Sequence, residues 1–130
     1  MPVRLWVAPP TKMDQKLLSE EGHYGVLGRT GARMEMPGCS LCMGNQAQVR
    51  KGSTAMSTST RNFPNRLGLD TRVYLGSAEL ASVCALLGRI PTVAEYMANI
   101  GVLAKNAGDI YRYMNFDKLA EFVESAKSVV

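Results

Sequence analysis

Pro37-Gly38-Cys39-Ser40-Leu41-Cys42-Met43-Gly44-Asn45-Gln46 is the run that organises this chain, and Ser57-Thr58-Ser59-Thr60-Arg61-Asn62-Phe63-Pro64-Asn65-Arg66 follows it. The first run sets two thiols three positions apart between glycines, which let the backbone turn tightly and approach a ligand closely. Two thiolates so held suit a zinc ion, a redox dithiol or an iron–sulfur cluster; a structural cysteine pair is the competing reading. The second run places Arg61 and Arg66 on either side of a rigid Asn-Phe-Pro-Asn turn. Two guanidinium groups on one loop can hold a polyanion bidentately, carboxylate or phosphate.

Upstream of the cysteines, Val3 to Ala8 alternates and reads as a strand, which Pro9-Pro10 ends. Thr11 with Asp14 three positions on resembles a capping box, and a helix is expected over 12–21, stopped at Gly22. His23 to Gly31 carries three glycines and reads as a connector; their spacing does not match the dinucleotide-binding pattern. His23, the single histidine, sits beside a helix end and reads as a surface or capping residue. Residues 32–36 form a short strand that leads into the cysteine turn.

Downstream, residues 45–50 are expected to form a short helix ended by Gly52. Its N-terminus would face the cysteines and favour thiolate. Strands are expected over 54–59 and 72–75. Ser77 caps a helix over 78–87 that Gly88 closes, with Leu80, Val83, Cys84 and Leu87 on one face. Cys84 therefore reads as a core residue. Thr92 and Glu95 after Pro91 start another helix, expected to reach residue 100. A last helix starts at Asn115 or Asp117 and runs to about residue 128. Met34, Met36, Met43 and Met56 near the site read as packing residues. This order implies an α/β layered fold, a mainly parallel sheet flanked by helices. Both site segments then lie on loops that follow or join strands, the usual place for a site in such sheets.

The chain has 130 residues, 46% apolar and 20% charged, the balance of one globular domain. Fifteen Lys and Arg against eleven Asp and Glu give a net charge of +4, scattered without a block, which fits a solvated surface better than a nucleic-acid patch. No apolar run is long enough to span a bilayer, and Met1-Pro2-Val3-Arg4 starts no signal peptide. Three cysteines, two of them in a CxxC, argue against a disulfide framework and fit a reducing cytoplasm.

The joint motif PGCSLCMGNQ and STSTRNFPNRLG resembles the aconitase family, most closely its bacterial B branch. The resemblance runs from Trp6-Val7-Ala8-Pro9-Pro10-Thr11 to Tyr111-Arg112-Tyr113-Met114-Asn115-Phe116. It implies reversible dehydration and hydration of citrate to isocitrate through cis-aconitate, a lyase step of the tricarboxylic acid cycle. It implies a 4Fe–4S cluster with Cys39 and Cys42 as two of its three cysteine ligands. The third lies upstream in the family, and no cysteine precedes Cys39 here. Arg61 and Arg66 match the substrate-binding arginines, and Asn45, Thr60 and Asn62 are possible neighbours of the site. Many relatives carry Asn where Thr60 stands. No catalytic residue is expected within residues 1–130, because the family's serine base belongs to another domain. The chain is thus expected to be the C-terminal part of the iron–sulfur α/β domain, its third domain, working with the remaining domains and inactive alone. The rivals are a 2-methylisocitrate dehydratase, an mRNA-binding regulator in the cluster-free state, and a zinc module using Cys39, Cys42 and His23 with one outside ligand. Relative turnover, the salt dependence of RNA binding and metal analysis separate them.

Overall fold

The structure, a computed structural model, describes residues 1–39, 41–111 and 120. It divides into two units, Met1–Thr92 and Val93–Val130. The expected helix from Asn115 or Asp117 to residue 128 lies outside the described residues.

In the first unit, β1 (Trp6–Val7) is followed by α1 (Lys12–Glu20), α2 (His23–Arg29) and β2 (Arg33–Met34). β1 and β2 pair in parallel, Trp6 beside Arg33 and Val7 beside Met34. The backbone bonds outlast the short strands: Glu35 N donates to Val7 O at 2.8 Å and Gly38 N to Pro9 O at 2.9 Å. Both strands are thus shorter than the alternation suggested, while their pairing carries on to the edge of the cysteine turn. Thr11 caps α1 with the reciprocal Thr11–Asp14 bonds of a capping box.

Residues His23–Arg29 are a helix, not the connector their glycines suggested. Gly22, at φ 80°, turns the chain between the two helices. Each interior glycine costs about 1 kcal/mol relative to alanine. Packing against α1 outweighs that cost, with Tyr24 and Leu27, three positions apart, as the half-buried residues of the turn.

The second strand pair is β3 (Thr54–Ser57) with β4 (Arg72–Leu75), again parallel, in register from Thr54 beside Arg72 to Ser57 beside Leu75. Parallel neighbours need a long crossover. Residues 58–71 supply it as a loop rather than a helix, and that loop carries both arginines. α3 (Ala78–Leu87) follows, capped by Ser77 Oγ on Leu80 N at 3.2 Å and closed by Gly88 at φ 77°. Its bounds are those read from the sequence. Val83, Cys84 and Ala85 are its buried residues. Leu80 is half-buried while Leu87 is exposed, so Ala85 takes the inward place expected of Leu87. Where β4 turns into α3, a Cβ on Gly76 would lie 2.9 Å from Met56 Sδ and 3.0 Å from Leu80 Cδ2. Met56 of β3 and Leu80 of α3 therefore close over this position, and a larger residue here would make their side chains shift.

The fold is mixed α/β with parallel pairing throughout the described strands, arranged as two two-stranded sheets. The expected helix over 45–50 is absent. Gly44 turns at φ 71°, and the following backbone bonds outward instead: Val49 N donates to Leu67 O at 2.8 Å and Gly52 N to Leu69 O at 3.1 Å. Partners distant in sequence outcompete the local helix, and the dipole expected near the thiols is not there.

The second unit contains α4 (Val93–Lys105) and α5 (Ala107–Ile110). α4 continues through Gly101, five residues past the expected end. Among the described residues no helix is long and apolar enough to cross a membrane.

Candidate functional site

The cysteine turn springs from the C-terminal end of β2 and the arginine loop from that of β3, so each leaves its parallel pair at the end where sites form. Gly38 at φ 131° and Gly44 at φ 71° bracket the turn. Between them Cys39 and Cys42 come together with their Cα atoms 5.4 Å apart, and their sulfurs are joined as a disulfide. Cys39 is exposed and Cys42 half-buried.

The arginine loop is compact because short bonds satisfy it internally. Arg66 N donates to Phe63 O at 3.2 Å and Gly68 N to Asn65 O at 3.1 Å. Asn65 Oδ1 accepts from Asp70 N at 2.8 Å. Asn65 (φ 60°) and Asp70 (φ 55°) adopt left-handed backbone, which these two residue types tolerate. Asn62 Nδ2 donates to Val73 O at 2.9 Å, so its side chain ties the loop to β4.

Arg66 joins the two motifs. It is 2% exposed, and its Nη1 donates to the Cys42 carbonyl. Its Nε and Nη2 are buried with no partner among the described residues. Desolvation pulls the guanidinium pKa below its ordinary value, which marks the cost of burying this charge. The backbones also meet, because a Cβ on Gly44 would run into the Arg66 carbonyl. Arg61 differs: it is exposed, and its backbone N donates to Ser59 Oγ at 3.4 Å. Asn45 and Thr60 are exposed. The sequence thus brings Cys42 and Arg66 into contact and leaves the Arg61 side chain facing outward.

Two residues of this region were not read as site residues. Gln46 Nε2 donates to Glu35 Oε2 at 2.6 Å across the base of the cysteine loop. Arg33 Nε holds the other carboxylate oxygen. The Gln46–Glu35 bond leaves no mark in a single sequence, because a separation of 11 residues follows no helical or strand period; Arg33 and Glu35, two apart, do share one strand face.

Cys84 is buried in α3. Desolvation raises its thiol pKa, against a smaller opposite effect of its backbone hydrogen bond, so it stays protonated and inert at neutral pH. Cys84→Ala is expected to cost on the order of 1 kcal/mol of stability, read from thermal unfolding, with metal content of the full-length protein unchanged. Loss of metal in that variant would make Cys84 a ligand. His23 is exposed and lies 3.4 Å from Glu21, away from any convergence of ligands.

The donor chemistry fits part of a metal or cluster site. The three cysteines argue against a disulfide framework, yet Cys39 and Cys42 are bonded to each other; reduced to thiolates, the adjacent pair would offer two ligands to one centre. Among the described residues no three His, Cys, Asp or Glu side chains converge. A cluster bound through three thiolates would use Cys39 and Cys42 with a donor from outside these residues.

The sequence model of the aconitase family (aconitate hydratase) matches residues 1–88. Aconitate hydratase B of Pseudomonas aeruginosa is 64% identical over 126 residues, 97% of this chain and 14% of that protein. Its Escherichia coli counterpart is 58% identical over 130 residues, 100% of this chain and 15% of that protein. The 3-isopropylmalate dehydratase large subunit of Flavobacterium johnsoniae is 35% identical over 89 residues, 68% of this chain and 19% of that protein. The chain spans about 15% of the length of the aconitate hydratases it matches.

Proposed function

The chain belongs to the aconitase family, and from that premise we propose that it is a segment of an aconitate hydratase of the B type. The full-length enzyme would dehydrate citrate to cis-aconitate and rehydrate it to isocitrate. The single observation that carries the role of this segment is the Arg66–Cys42 contact. It ties the backbone of the cysteine turn to the arginine loop and supports reading the two motifs as one site.

In this reading Cys39 and Cys42 hold two irons of a 4Fe–4S cluster. When bound, the cluster supplies a Lewis-acidic iron that helps a hydroxyl leave. Arg61, exposed at the loop, takes a substrate carboxylate in its planar fork. Arg66 offers Nε and Nη2, the two buried donors left over after it has bonded Cys42. Such placement fixes the substrate for reaction. Asn62 supports the loop from β4, and Asn45 and Thr60 flank the site. The segment is the C-terminal part of the family's iron–sulfur domain, with layered α/β architecture completed by the rest of the protein in the cytoplasm.

The chain by itself is expected not to retain the cluster, since two thiolates leave irons without protein ligands. Anaerobic reconstitution with iron and sulfide assays checks this. About four irons per chain with a stable visible band would overturn it. On the full-length enzyme, turnover of citrate well above that of 2-methylisocitrate supports the aconitate hydratase reading. The reverse preference would make the protein a 2-methylisocitrate dehydratase.

A further inference from the structure

The cysteine turn sits on a loop whose two ends, Glu35 and Gln46, are bonded to each other at 2.6 Å. Glu35 is held on its other side by Arg33 Nε, and its side chain is 11% exposed. The Arg33 guanidinium lies 5.2 Å from the centre of the Trp6 ring. A continuous set of contacts thus runs from Trp6 in β1, through β2, to the far end of the loop. Water competes little for a carboxylate this shielded, and a hydrogen bond to an ionised acceptor is stronger than a neutral one.

We propose that Glu35 and Gln46 are positioning residues for Cys39 and Cys42: their hydrogen bond shuts the base of the loop and so raises the effective concentration of one thiol at the other. A loop open at its base has more arrangements available to its two sulfurs than a closed one. The proposal deepens the reading of the two thiols as a cofactor-holding pair. The pairing of two thiols can be measured with no cofactor present, so the two claims fail separately.

The test equilibrates the 130-residue chain with glutathione. Two glutathione thiols are oxidised to one glutathione disulfide, and the Cys39–Cys42 disulfide takes up two electrons and two protons to give two thiols. Alkylation and mass measurement give the oxidised fraction and hence the equilibrium constant. Gln46→Ala and Glu35→Ala are each expected to shift the constant about tenfold toward the dithiol, or about 30 mV for this two-electron couple. The double alanine variant should shift it no further than either single one, because all three lose the same bond. The exchanged variant Glu35→Gln/Gln46→Glu reverses donor and acceptor and should recover most of the shift. Asp70→Asn, which breaks the exposed pair with Lys51, should leave the constant where it was.

A contact that only stabilises the fold would lower the melting temperature and leave the constant unmoved. An unchanged constant in both single variants overturns the proposal, and so does an exchanged variant as far shifted as they are. Should the single variants fail to fold, the exchanged variant decides alone: a constant near the parent's supports the proposal and a tenfold shift overturns it.

Discussion

In the full-length enzyme, Arg61→Lys is expected to lower kcat/KM for citrate and isocitrate by roughly 30-fold to several thousand-fold while iron content stays normal. Arg61 is exposed on a loop whose backbone is held by Ser59, Asn62 and Asn65. Its replacement therefore leaves the loop standing. What goes is the planar fork: lysine presents one compact charge where a guanidinium makes two parallel bonds to a carboxylate. A carboxylate left buried and short of a partner costs roughly 2–5 kcal/mol, which sets the range of the rate loss. Cys39→Ser should give the contrasting pattern, iron and activity lost together. Steady-state kinetics beside an iron assay separates the two, and near-normal turnover in Arg61→Lys would return that arginine to the surface.

Arg66 should fail in another way. Arg66→Ala in the 130-residue chain is expected to lower the free energy of unfolding by about 2–4 kcal/mol. Truncation empties a buried volume and takes the partner from the Cys42 carbonyl. Relief of the desolvated charge offsets part of that loss, which keeps the figure below that of a wholly apolar side chain of the same size. Urea unfolding with a constant denaturant slope is the measurement. A change under about 0.5 kcal/mol would place Arg66 with ordinary surface residues and dissolve the link between the motifs.

The elements that local chemistry specifies were legible in the sequence. Ser77 and Gly88 mark α3 to the residue, and Thr11 with Asp14 marks the start of α1. β4 has the bounds read from the sequence and carries Val73 and Tyr74, while β3 starts at Thr54 as expected and ends at Ser57, short of the expected Ser59. What failed depended on distant partners. The segment after Gly44 looked helical until residues 67–69 took its hydrogen bonds. The glycines of α2 looked like a loop because α1, the helix that outweighs their cost, carries no local sign of doing so. At the site, the cysteines and arginines were visible as residue types at telling intervals. That Arg66 is buried against Cys42, while Arg61 is exposed, could not be read from two arginines flanking one turn.

The contact between Gly44 and the Arg66 backbone constrains how the protein can be recombined. With φ 71° and no room for a Cβ, position 44 is closed to substitution by steric exclusion from the other motif as well as by its own backbone. The packing tolerance belongs to the crossing, not to either loop. A chimaera that takes residues 37–46 from one relative and 61–68 from another therefore joins two surfaces that were fitted separately. Shuffling points that keep both loops from one parent are the ones that preserve the crossing, although the loops lie apart in the chain.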